Sequence, residues 1–175
     1  MSLDWVHLTT ELPEAGRRVE RAATPGECAA VANDLGLAAC SRLVVTYHVR
    51  PLPGGRYRVE GKIGADIEQP CVVTLEPVAQ TIDEPIDVTF SPNGDRREDS
   101  SSEREILSEP DIEPLADGRI EVGRVAFELL AAAIDPYPRR PGAELNPNHP
   151  AVRGEGQGTG EASPFAVLAK LKDKL

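Results

Sequence analysis

The side chains that could do chemistry in this chain are few and scattered. Cys71 is the most tempting of them. It follows Gln69-Pro70 and opens an apolar run, CVVTLEPV, where a thiolate could serve as a nucleophile or a metal ligand. No cation adjoins it in sequence to favour the thiolate, so the residue types point to a structural thiol. Cys28 and Cys40 are widely spaced and form no C-x-x-C with it or with each other. A structural zinc site needs four clustered ligands, and His7, His48 and His149 supply no cluster. Phosphate-loop, nucleophile-elbow and zinc-protease spacings are absent. GEGQGTG at 154–160 has glycine-rich spacing but no strand before it, and reads as a linker. Asp83 and Glu84 are neighbours on a strand and so face opposite ways. The expectation is no catalytic, cofactor or metal residues.

A second segment offers binding rather than catalysis. DPYPRRPGAEL, residues 135–145, is stiffened by three prolines. An extended segment of this kind loses little entropy on binding. Tyr137, Arg139 and Arg140 could stack on bases or pair with phosphate. The same side chains could equally tie the segment down onto the rest of the fold. These three are the candidate RNA- or partner-binding residues.

The chain has 175 residues and a net charge of −10, enough for one domain with a core. The charge argues against whole-surface binding to nucleic acid. Between Asp95 and Asp117, nine acids face three arginines, which reads as a solvated loop over 91–110, or as an acidic arm that mimics nucleic acid or docks on a basic partner. Three cysteines without a disulfide framework, and no leader or membrane-length apolar run, point to a cytoplasmic protein with reduced thiols. Neither DNA nor a membrane is an expected partner.

Several elements must position these residues. LDWVHL, 3–8, alternates as a short strand, and 13–23 reads as a polar loop. Thr24-Pro25-Gly26-Glu27 is a capping box that starts a helix over 25–35, with Cys28, Val31 and Leu35 on one stripe and Gly36 as its stop. Cys28 on that stripe is a core residue rather than a nucleophile. Residues 37–50 form a strand, and a turn at Gly54-Gly55 leads into a strand over 56–68. Gly61 and Gly64 suggest bulges or a sharp bend in it. Residues 71–78 and 82–90 read as two further strands, with Pro77 and Pro85 confined to ends, edges or bulges. His7 and His48 fall in strand patterns and read as packing or hydrogen-bonding residues rather than catalysts. DIEPLADGRI, 111–120, is a short strand or turn. Residues 121–134 keep a 3.6 period and form the best helix in the chain, which Pro136 stops. Residues 146–162 form a flexible linker, and 163–175 a tail helix capped by Ser163. The fold class is α+β: a mostly antiparallel curved sheet or partly closed barrel of about six strands, with two packed helices, over residues 1–145.

Three pieces resemble one family in the right order. They are QPCVVTLEPV with IDEPIDVTF, then DIEPLADGRIEVGRVAFELLAAAIDPYPRRPGAEL, then SPFAVLAKLK. Together they are similar to the YceD family, the large ribosomal RNA subunit accumulation proteins. Many members have C-x-x-C where this chain has Cys71-Val72-Val73-Thr74, and Thr74 breaks any shared role for such a pair. The resemblance implies a non-enzymatic factor supporting 23S rRNA synthesis, processing or stability, through 23S rRNA itself or a large-subunit ribosomal protein. A metal-dependent RNA-processing enzyme and a pure interaction module with an indirect effect on rRNA are the alternatives.

Overall fold

The computed structural model describes residues 3–92 and 111–144. The acidic segment from 93 to 110, the linker expected at 146–162 and the tail helix expected at 163–175 lie outside the described residues. The chain divides into two compact units, Met1–Arg140 and Pro141–Leu175, and every element below belongs to the first.

The chain runs β1 (Val6–Leu8), a single 3-10 turn (Thr9–Glu11), β2 (Arg17–Ala22), α1 (Pro25–Leu35), β3 (Ala39–Leu52), β4 (Arg56–Pro70), β5 (Pro77–Ser91), β6 (Asp111–Pro114), β7 (Arg119–Glu121) and α2 (Val122–Ala133). This is the expected α+β class, with two helices. Five strands form an open sheet in the order β2-β3-β4-β5-β6, and β1 pairs with β7 in a separate two-stranded ribbon. The five-stranded sheet does not close, since β2 and β6 lie at opposite edges. All neighbours in it are antiparallel except β5 and β6.

Period-2 alternation sorts the sheet into two faces. Leu43, Val45, Tyr47 and Val49 of β3, Val59, Ile63 and Ile67 of β4, and Ile82, Ile86 and Phe90 of β5 are buried in one core. Val31 of α1 and Val125, Ala126 and Leu130 of α2 are buried with them. The opposite face is polar and held by cross-strand ion pairs. Arg42 meets Asp66 at 2.6 Å, Arg50 meets Glu60 at 2.8 Å, and Arg58 meets Asp87 at 2.7 Å. Hydrogen bonds from Arg42 and Arg58 hold the Asp66 and Asp87 carboxyls below their ordinary values.

The start of α1 forms as its sequence dictates. The Glu27 backbone N–H donates to Thr24 Oγ1 at 3.2 Å, and the Thr24 N–H donates to Glu27 Oε2 at 2.8 Å. Such a cap is worth about 1 kcal/mol. Glu27 also accepts the Trp5 indole N–H at 2.7 Å, which ties α1 to the N-terminal strand region. Gly36 stops the helix in the left-handed conformation, φ 66°. Cys28 is buried, as its place on the stripe requires. The His7 ring shares a 2.7 Å hydrogen bond with the Tyr47 hydroxyl. Burial lowers the His7 pKa, with Arg17 and Arg21 adding to the effect and Glu11 opposing it, which favours the neutral ring.

Three expectations fail. Residues 17–22 are a strand rather than part of a loop. β2 is an edge strand whose residues are exposed apart from a half-buried Val19, so no hydrophobic alternation marks it. Residues 71–76 are a turn rather than a strand, so the run from Tyr57 to Phe90 is one long hairpin of two strands. Gly61 and Gly64 are not bulges, because the β4 pairings run unbroken past both. Gly61 serves close approach instead: a Cβ there would sit 2.1 Å from the Thr46 carbonyl oxygen. The one register shift in the β3–β4 pairing falls between Cys40 and Arg42. The prolines behave as expected. Pro77 begins β5, and Pro85 lies where β5 has no partner on its outer side among the described residues, since β6 pairs only with Val88–Ser91.

Candidate binding site at the hairpin end

The β4–β5 ladder ends on a facing pair of prolines, Pro70 and Pro77. Neither ring can donate to the ladder, so the six residues between them turn. The Cys71 N–H donates to the Glu76 carbonyl at 2.8 Å, and the Leu75 N–H to the Cys71 carbonyl at 2.9 Å. Closing the turn places Leu75 at φ 61°. This left-handed conformation costs a residue with a Cβ roughly 1–2 kcal/mol.

Cys71 is fully buried beneath this turn. Its Sγ accepts backbone N–H groups from Val73, Thr74 and Arg140, each at 3.5 Å. The Thr74 hydroxyl first and the Arg140 N–H next lower the thiol pKa to about 6 against burial, which raises it, with the Thr74 and Val73 N–H groups adding to the lowering. The thiolate is therefore stabilised by dipoles, with no cation adjacent in sequence. Burial keeps it away from solvent, and its role is to gather the turn and the 138–140 segment around one atom.

That segment follows α2 and crosses the hairpin end. The Gln80 side chain donates to the Ala133 carbonyl at 3.1 Å and accepts the Asp135 N–H at 3.3 Å. Gln69, itself buried, donates to the Asp135 carbonyl at 2.9 Å. Asp135 Oδ1 accepts the Tyr137 N–H at 2.8 Å, and the Pro138 carbonyl accepts the Val72 N–H at 2.9 Å. Arg140 pairs with Glu76. The strap from 135 to 140 is thus pinned through main chain, two glutamines and one arginine.

This arrangement separates the three candidate residues. Arg140 is exposed but engaged with Glu76. Tyr137 is 71% exposed, and Arg139 is exposed with no ion pair among the described residues. Two further residues stand out at the same end: Leu75, 80% exposed, and Val72, 47% exposed. Sequence reading missed both, because Val72-Val73 followed by Thr74-Leu75 imitates a strand. The bracketing prolines, Pro70 and Pro77, were the available sign of a turn.

Among the described residues, no group of three or more His, Cys, Asp or Glu is close enough to hold a metal ion. A cavity of about 560 Å³ lies between α1 and the start of β3, lined by Cys28, Ala29, Asn33, Leu37, Cys40 and neighbours. Burial, with the Cys28 thiol beside it, pushes the Cys40 thiol up to about 11, which makes it a poor nucleophile near neutral pH. No described helix is long and apolar enough to cross a membrane.

The family model for the large ribosomal RNA subunit accumulation protein YceD matches residues 59–172. The chain belongs to the YceD family. The match begins within β4 and takes in the whole hairpin end, β6, β7, α2 and the strap, while β1, β2, α1 and β3 lie outside it. No curated protein and no solved structure shows a recognisable match. In this family member the turn and the strap that build the candidate site both fall within the matched region.

Proposed function

We propose that this protein is a non-enzymatic ribosome-biogenesis factor of the cytoplasm that supports 23S rRNA synthesis, processing or stability. It acts by binding a large-subunit ribosomal protein or the rRNA, through the end of the sheet that presents Tyr137, Arg139 and Arg140. The observation that carries this reading is the family match over a pinned strap whose Tyr137 and Arg139 face solvent. Such a strap presents its side chains with little ordering cost on binding.

The test is genetic and then physical. Cells lacking the protein should accumulate less 23S rRNA and fewer large subunits. Unchanged ribosome profiles would remove the proposal. For the rRNA arm, the purified protein should bind 23S fragments with a steep salt dependence. Replacing Arg139 and Arg140 by Ala should then flatten the slope by about 1 for each phosphate no longer neutralised. Salt-independent or absent RNA binding, with capture of a purified large-subunit protein, assigns the function to the protein arm.

A further inference from the structure

We infer that Val72, Leu75 and Tyr137 form the contact face for a basic protein carrying an apolar pocket, and that this contact, rather than rRNA, is what the hairpin end is built for. The inference rests on the ribosome-biogenesis reading and selects between its two partners.

Leu75 decides the first step. It occupies a left-handed conformation that glycine or asparagine would hold with less strain, yet its side chain is 80% exposed and gains almost no burial in the free protein. A strained backbone presenting an apolar side chain to water is explained by what that side chain touches outside the molecule. It is not isolated. Leu8, Val72, Leu75, Ile112 and Tyr137 are the exposed large apolar residues among those described, and three of the five gather at this end. The frame beneath them is fixed by the Cys71 sulfur and by the Val72–Pro138 hydrogen bond.

Charge decides the second step. Strong RNA binding needs several cations free to displace counterions. At the hairpin end itself Arg140 is taken by Glu76. Arg139 is a single charge. Leu75 and Val72 offer no plane for a base to stack on. The net charge of −10 draws a basic protein from a distance. An apolar cluster that includes a tyrosine suits the core of a protein interface.

The test uses the full-length chain and two probes: fractionated proteins salt-stripped from the large ribosomal subunit, and protein-free 23S rRNA. One basic protein fraction should bind. Leu75→Gly should weaken that binding at least about tenfold while the melting temperature holds or rises, because glycine relieves the strain. A merely structural Leu75 would lose stability along with binding. Tyr137→Ala should weaken binding in the same way. Undiminished binding by Leu75→Gly overturns the inference. Binding to 23S rRNA alone also overturns it but leaves the proposed function standing, and binding to neither probe counts against both.

Discussion

The Cys71 sulfur accepts three backbone N–H groups within reach of a turn of six residues, and this makes its protonation part of the fold. Its folded pKa is about 6, against an ordinary value of 9.0. Above the ordinary value the sulfur is a thiolate whether the chain is folded or not, and the full stabilisation from its donors is present. Below about 6 it is a thiol in both states and that stabilisation is gone. Stability contributed by this group therefore rises with pH between those two values. We expect urea midpoints of the native protein to climb across that interval, and those of Cys71→Ser to climb less. Parallel pH profiles for the two proteins would show that the sulfur is not a thiolate in the fold. Thiol reagents should modify Cys71 slowly until the protein unfolds, because burial blocks approach. The sequence held the residue but not its surroundings. An absence of cations next to Cys71 suggested an ordinary thiol, whereas the groups that favour the thiolate are the Thr74 hydroxyl and main-chain N–H groups aimed by the turn and by Arg140, 69 residues further along.

At the scale of elements, what the sequence disclosed depended on whether the deciding interactions were local. α1 was legible from end to end because its cap, its stop and its stripe all lie within a few residues. β2 was not, since an exposed edge strand of arginines and glutamate looks like a loop until β3 pairs with it. The 71–76 turn was hidden by its β-branched residues. The helix starts offer a matched test. Gly26 and Gly123 occupy equivalent positions, second in α1 and second in α2. A Cβ on Gly26 would meet nothing within 4 Å, but on Gly123 it would sit 2.4 Å from the Leu3 carbonyl oxygen and 2.9 Å from the Trp5 nitrogen. Helix propensity favours alanine by up to about 1 kcal/mol, while forcing an atom into fixed backbone costs about 1–3 kcal/mol. Gly26→Ala should therefore raise the urea midpoint and Gly123→Ala should lower it. A rise in both would mean that the N-terminal segment yields to α2, and that the Gly123–Trp5 hydrogen bond does not fix their approach.

For the whole molecule, the proposed contact would divide the work of binding between charge and docking surface. The α+β class was legible in the alternation of the strands and the period of 121–134. The parallel pairing of β5 with β6 was not, because it joins residues separated by the acidic stretch. The same holds for the candidate site: Tyr137, Arg139 and Arg140 could be named from their segment, but only the folded strap shows that Arg140 is engaged with Glu76 while Tyr137 faces solvent. In the proposed contact the net charge of −10 would act at a distance that the hairpin end does not reach, mainly on the rate of encounter. The association rate with a basic large-subunit protein should fall roughly tenfold or more on going from low to high salt, with the dissociation rate little changed. Leu75→Gly should do the reverse, speeding dissociation while leaving association nearly intact, because it alters the docked surface and no charge. Rapid-mixing or surface-based kinetics would separate the two. If association proves insensitive to salt, the acidity of the chain has no part in finding its partner, and the hairpin end would have to account for encounter as well as for hold.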